Sequence, residues 1–306
     1  MNAPLAFNYP WTKLTDALYP RIIREYLDWG VNTFVFTDPL VRACLEDETR
    51  IDFLKGLCDR FGIRLIAMHS PFGPKLDLNV PEPEQRAIML ETHRRAMALA
   101  ANFGSRTYTM HIGAYDYVTH HTPIDVLRPL AIQSLEQLLP TAERLGLVIA
   151  VENSFEPTNS AQEVLSVIAP FAGNPAIGVC YDTGHAHIMT PYPWKRRENY
   201  PDYQLNRNWW EGFREEPDAL AKLQPHVVTC HIHDNTGYAD LHAMPFDGTI
   251  DWDTLIPQLR ACPRMLEFQT AQCFDEGTNW AGHLLAPAGG YSIRRQVETF
   301  RKLGFN

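Results

Sequence analysis

Six acid or imidazole side chains stand at the ends of short apolar runs: His69, His111, Glu152, Asp182, His231 and Glu267. His185 follows Asp182 by three residues, and Asp240 and His242 come soon after His231. Gathered in one place, the carboxylates would repel one another, at a cost that grows as water is excluded. A divalent cation removes that repulsion, and a mixed imidazole and carboxylate donor set suits zinc, manganese or a related ion. Each residue alone has an ordinary explanation. Glu152 could pair with an arginine, and Asp182 in "YDTGHAH" could simply cap a helix. His187, His226 and His233 are read that way, and His120 and His121 as solvated loop residues. Independent accidents would not end so many successive runs in acids or histidines, so the group is read as a metal centre.

The runs that carry these residues are "LAFNY", "VNTFVFT", "IRLIAMHS", "RTYTMHIG", "LVIAVEN", "IGVCYDTG", "HVVTCHIHD" and "RMLEFQT". They are rich in β-branched and aromatic residues and too continuous to have one wet face, as in parallel strands covered on both sides. Amphipathic stretches alternate with them, among them 84–103, 124–145 and 251–260. Gly30, Gly62, Gly104 and Gly146 precede strands where a left-handed residue would close a helix. Eight such alternations over 306 residues predict a single-domain (β/α)8 TIM barrel. A doubly wound sheet would ordinarily carry a glycine-rich loop after its first strand, and there is none. In a barrel, side chains at the C-terminal ends of strands converge on one mouth. Two long connections, 186–224 and 271–290, follow strand ends and would lie on that face as lids, binding loops or contacts of a homo-oligomer. The first holds Trp194, Lys195, Arg196, Arg197, Tyr200, Tyr203, Trp209 and Trp210. Its tryptophans would cover a bound substrate, and its basic residues would be available to a phosphate.

Charge narrows the partners. Lys and Arg number 27 against 36 Asp and Glu, a net −9, which argues against a broad nucleic-acid surface. The six cysteines include no C-x-x-C pair and are expected to be reduced thiols. Neither a basic, apolar leader nor a long apolar span is evident, so the expectation is a cytoplasmic protein with no membrane partner.

The segments "HSPF" with "LDLN", "MHIG", "VEN", "YDTGH", "HIHDN", "DLHAMPFDGTIDW" and "LEFQT" follow one another between Arg64 and Thr270. This succession resembles the xylose-isomerase-like TIM-barrel superfamily, which holds sugar and sugar-phosphate isomerases and epimerases and the tri-zinc apurinic-site endonucleases. The resemblance implies a single-metal core of Glu152, Asp182, His231 and Glu267, binding Mn, Co, Mg or Zn. Its tri-zinc branch would add His69, His111, His185, Asp240 and His242 and hold three Zn. Phe246-Asp247 stands where the isomerase motif has Gly-Glu, and the arginine that ketose 3-epimerases carry after "HIHDN" is missing.

The acidic charge and the "SPFGPKLDLN" stretch favour an isomerase or epimerase of a sugar-like polyhydroxy carbonyl compound. A C–H beside a carbonyl is a weak acid, so its removal needs a metal to polarise the oxygens and a carboxylate to take the proton. Glu152 and Glu267, from different strands, would flank the substrate and exchange its proton through an enediolate. Asn153 and Glu156 would hold hydroxyls. By resemblance, His185 would hydrogen-bond the oxygen that gains charge. The alternative is a tri-zinc phosphoester hydrolase, or a lyase or dehydratase sharing the first step.

Overall fold

Eight short strands, each covered on both faces, form the inner layer. The computed structural model describes residues 3–196, 215–271 and 293–305. The strands are β1 (Leu5–Ala6), β2 (Thr33–Phe36), β3 (Arg64–His69), β4 (Thr107–Met110), β5 (Val148–Glu152), β6 (Ile177–Asp182), β7 (Val227–Ile232) and β8 (Phe268–Thr270). All neighbours pair in parallel, in the order β1-β8-β7-β6-β5-β4-β3-β2. The Phe7–Phe34 bridge closes the ring between β1 and β2, with Phe7 N–H donating to Thr33 O at 2.9 Å and Val35 N–H to Phe7 O at 3.0 Å. The result is a (β/α)8 barrel. Every residue of β2, β4, β6 and β7 is buried, which is why these runs show little alternation.

The outer helices fall where the apolar spacing puts them: Pro83–Asn102, Ile124–Leu145 and Trp252–Arg260. Gly62 and Gly146 cap their helices with φ of 65° and 68°, the left-handed region that a side chain disfavours. The seam of the barrel is sealed by aromatic packing. Phe34 lies edge-on to Tyr26 at 5.0 Å, and Phe7 packs on Phe300 of the helix Ile293–Lys302 at 5.9 Å. The buried Tyr26 hydroxyl donates to Gln296 Oε1 at 2.7 Å, so this phenol is satisfied inside the core.

The long connection after β6 is partly ordinary helix, Thr183–Met189 and Ala219–Leu223. Arg197, Tyr200, Tyr203, Trp209 and Trp210 lie outside the described residues, as do 272–290 of the last connection, including Cys273. The other five cysteines are free thiols.

Candidate metal centre

The strand ends bring the acids and imidazoles together at the C-terminal mouth. Glu152, last in β5, is 4% exposed and is the hub. His231 Nδ1 lies 3.0 Å from its Oε1 and His111 Nε2 3.1 Å from its Oε2. His69 Nε2 and His185 Nδ1 stand off at 3.7 Å. The His69 and His231 rings stack at 5.4 Å. Asp182, last in β6 and 1% exposed, accepts the His185 backbone N–H at 2.7 Å and so caps the helix Thr183–Met189. Its Oδ2 is 3.7 Å from His231 Nδ1. Beyond it, Asp240 Oδ2 lies 3.4 Å from His185 Nε2 and 3.2 Å from His242 Nε2.

The tautomers show that these donors fit a cation. His69 Nδ1 contacts the Ser70 carbonyl at 3.0 Å, and a carbonyl can only accept, so that nitrogen carries the hydrogen. Its Nε2 then presents a lone pair towards a carboxylate oxygen of Glu152. Burial, helped by His111, pushes the His69 pKa down to about 3, so the ring does not relieve this by protonating. The His185 ring is fixed in the same way, with Nδ1 facing the Asn153 carbonyl at 2.9 Å, and its Nε2 faces Asp240, where a proton or a metal ion would sit between them. Burial opposes charge on His185, but Asp182 and Asp240 outweigh it and hold the pKa well above the usual value. Burial likewise acts against the Glu152 carboxylate, yet His231 and His111 keep its pKa well below the ordinary range. A lone pair aimed at an anion marks the seat of a proton or a metal ion.

Among the described residues, four groups have donor atoms mutually within 4.8 Å: His69–His111–Glu152, Glu152–Cys180–His231, Glu152–Asp182–His185, and His185–His233–Asp240–His242. Glu267 belongs to none of them. It precedes β8 rather than ending it, and the interior position beside His231 in the strand register is Gln269. Glu267 is fully buried in the barrel floor, where Oε1 accepts from Thr107 at the start of β4 and Thr229 also interacts. The four-residue set Glu152, Asp182, His231 and Glu267 is therefore brought together only in its first three members.

Two other expected contacts are engaged elsewhere. The Asn153 amide accepts from Asp182 N–H at 2.9 Å and donates to Asp182 O at 3.2 Å, which ties β5 to β6, and Glu156 Oε2 accepts from the Asn159 amide at 3.3 Å. Lys195 Nζ donates to Ile188 O and Thr190 O at 2.7 Å each, closing the end of a helix rather than facing a phosphate. Trp194 stacks on Tyr192 at 5.0 Å and lies edge-on to Tyr238, beside the loop after β7. The departure at Phe246 has a structural cost: its φ is 75°, and Asp234 Oδ2 accepts its N–H at 3.0 Å.

The site residue that sequence reasoning passed over is His233, which it left among the ordinary histidines. The ring is fully buried, and Nε2 lies 2.8 and 3.0 Å from the two Asp182 oxygens. The "H-x-H" spacing carried the signal: residues two apart in a strand share a face, so His231 and His233 point the same way.

A barrel with this mouth defines a class, and comparison places the chain within it. Residues 23–265 match the model of the xylose isomerase-like TIM barrel family, and the chain belongs to that family. Among curated relatives, the uncharacterised protein y4fM of Sinorhizobium fredii is 27% identical over 58% of this chain, and the match spans half of that relative's length. The Escherichia coli 3-keto-D-glucoside 4-epimerase YcjR has a TM-score of 0.66 at 16% identity, over 99% of both chains. An IOLI protein with a bound zinc atom also reaches 0.66, at 14% identity, over 99% of this chain and 96% of that one. At these identities the structural likeness speaks to the fold. Among the described residues no helix is long and apolar enough to cross a membrane.

Proposed function

We propose that this protein is a divalent-metal-dependent enzyme that isomerises a sugar or a related polyhydroxy carbonyl compound, with Glu152 as the proton-transferring base. The observation that carries this reading is Glu152 itself: a buried carboxylate at the barrel mouth, held ionised by His231 and His111 and faced by the bare nitrogen of His69. Glu152, Asp182 and His231 would hold the ion. When bound, such an ion supplies positive charge that polarises the carbonyl and hydroxyl oxygens of the substrate.

Around it the protein's own groups divide the work. Glu152 removes a proton from the carbon beside the carbonyl and returns it to the neighbouring carbon on the same face, while the proton of the adjacent hydroxyl passes to the former carbonyl oxygen. The His185 ring is fixed by the Asn153 carbonyl and faces the charge that develops on oxygen. Epimerisation through two bases on opposite faces would need a second acid at the mouth. Glu267, in the floor, does not supply one, and Gln269 beside His231 cannot accept a proton at neutral pH.

The test is a screen of aldoses, ketoses and their phosphates in deuterated water with added manganese, cobalt, magnesium or zinc. Deuterium should enter the carbon beside the carbonyl in wild type. Absence of exchange across metals and substrate classes would overturn the reading.

A second reading, a phosphoester hydrolase using three ions, draws on one observation. The donor groups run side by side from His69 and His111 through Glu152 and Asp182 to Asp240 and His242. Cleavage of a phosphoester without any deuterium exchange would favour it.

A further inference from the structure

We propose that the β8, β1 and β2 side of the barrel mouth is a substrate subsite built from the neutral side chains of Gln269, Asn8 and Thr37. It takes hydroxyl groups at the end of the substrate remote from the ion and disfavours a phosphate there. The inference rests on the sugar-like substrate proposed above and narrows it to an unphosphorylated polyhydroxy compound.

The acids and imidazoles of the metal centre come from β3 to β7 and the loops after them. The remaining three strands bring a different chemistry to the same mouth. Gln269 pairs with His231 in the strand register and shares the inward face of β8 with Glu267, two residues before it. On β1, Phe7 packs outward on Phe300, whereas Ala6 lies in an inner cluster with Val35 and Ala67. Asn8, two residues after Ala6, therefore faces inward beyond the strand end. Thr37 stands in the same relation to Val35 on β2.

Each of these groups has hydrogen-bonding capacity that the fold leaves unused. The Thr229 hydroxyl donates its one hydrogen to Glu267, so it accepts from Gln269 Nε2 at 2.9 Å, and this fixes which way the Gln269 amide points. Gln269 is fully buried, and its Oε1 has no partner among the described residues. Asn8 Oδ1 is likewise buried and unpartnered, while the Asn8 backbone N–H donates to Thr270 Oγ1 at 2.8 Å and ties the residue to β8. Thr37 precedes the helix Asp38–Glu46, where a hydroxyl ordinarily caps, yet its side chain makes no capping hydrogen bond. A buried acceptor without a partner is costly, and two on adjacent strands call for a ligand that brings hydrogens to them.

The sign of these groups selects the ligand. Gln269 Oε1 and Asn8 Oδ1 are carbonyl oxygens, which only accept. A hydroxyl donates to them. A phosphate dianion or a carboxylate has no hydrogen to give and would set its charge against their partial negative charge, at the cost of losing its own water. With the carbonyl end of the substrate drawn to the ion beside Glu152, the groups on β8, β1 and β2 meet its other hydroxyls.

The test uses the full chain loaded with manganese and measures binding by calorimetry, with D-sorbitol and D-sorbitol 6-phosphate as probes. Neither probe has a carbonyl, so neither can turn over. Sorbitol should bind, and its phosphate about 10-fold more weakly. Gln269→Leu and Asn8→Ala should each weaken sorbitol about 3–10-fold, the loss of one hydrogen bond between neutral groups, with metal content unchanged in elemental analysis. Circular dichroism checks that both fold, and Asn8→Ala carries the test alone if Gln269→Leu does not. Equal or tighter binding of the phosphate, no binding of sorbitol by wild type, or folded variants that bind sorbitol as wild type does would overturn the inference. The last result would mean that water alone fills these positions. Loss of metal in Gln269→Leu would make Gln269 a ligand of the ion and overturn its role here. Because the probes cannot react, a failed deuterium-exchange screen with normal sorbitol binding removes the reaction and leaves the subsite. Exchange in a protein whose variants bind sorbitol normally does the reverse.

Discussion

Glu152 and Glu267 are both buried glutamates of the barrel interior, and their neighbours give them opposite properties. Glu152 meets two imidazoles, whereas Glu267 meets threonine hydroxyls. Glu152→Gln should therefore lower turnover by ~10²–10⁴, the scale of a lost general base, with metal content falling in elemental analysis. Glu267→Gln should keep turnover and metal content, and steady-state kinetics on the two variants side by side checks the contrast. Burial raises the Glu267 pKa from 4.5 to about 7, with the Thr107 hydrogen bond pulling the other way. Between those values the folded protein holds a proton that the unfolded chain has released. Stability therefore falls as pH rises through that window, and the full cost, about 3 kcal/mol, persists above it. Glu267→Gln should raise Tm by several degrees at pH 8 and leave it near wild type at pH 4, as thermal melts at the two values would show. The run "LEFQT" contains two polar side chains two apart, Glu267 and Gln269, which face the same side of the strand. Residue type favoured the glutamate, and only the register against β7 puts Gln269 at the rim. The "HIHDN" run posed the same difficulty in reverse, because His233 looks ordinary until its partner on β6 is in place.

At the scale of elements, the helix Thr183–Met189 ties the site to the fold. Asp182 caps its start, and Lys195 collects two carbonyls at its end, those of Ile188 and Thr190. Lys195→Met should cost about 1–3 kcal/mol in urea unfolding, because it strips those carbonyls of their donor. It should leave the preference between phosphorylated and free sugars unchanged, as paired kinetics would show. The loop after β7 carries strain at Phe246, where φ is 75°. Phe246→Gly should relax it and stabilise the protein by about 1 kcal/mol, measurable in the same urea series. The strands and the helices 124–145 and 252–260 were legible in the sequence because apolar periodicity and glycine caps act locally. The partner of Lys195 was not, since an ammonium placed among aromatics looks the same in sequence whether it meets a ligand or a helix end.

For the whole molecule, the donors that meet at the mouth come from five of the eight strands or from the loops that follow them, so an ion bound there ties distant parts of the chain together. Chelation should abolish activity and lower Tm by several degrees, and manganese, cobalt or zinc should restore both, because a ligand that binds only the folded state stabilises it by mass action. Calorimetry before and after dialysis against a chelator measures this, and an unchanged Tm in protein shown to be metal-free would count against any tight site. The seam between β1 and β8 has a consequence in time. Leu5 pairs with Phe268, and Asn8 N–H donates to Thr270 Oγ1 across 262 positions of sequence. On the ribosome β1 waits, unpaired on that side, until nearly all of the chain has emerged. Strands left open in this way are slow to complete and prone to pair with the wrong partner. Closure of the ring should thus be a late event in folding, detectable as late protection of the Phe268 amide in pulsed hydrogen exchange, well after the amides of β4 to β6 are shielded.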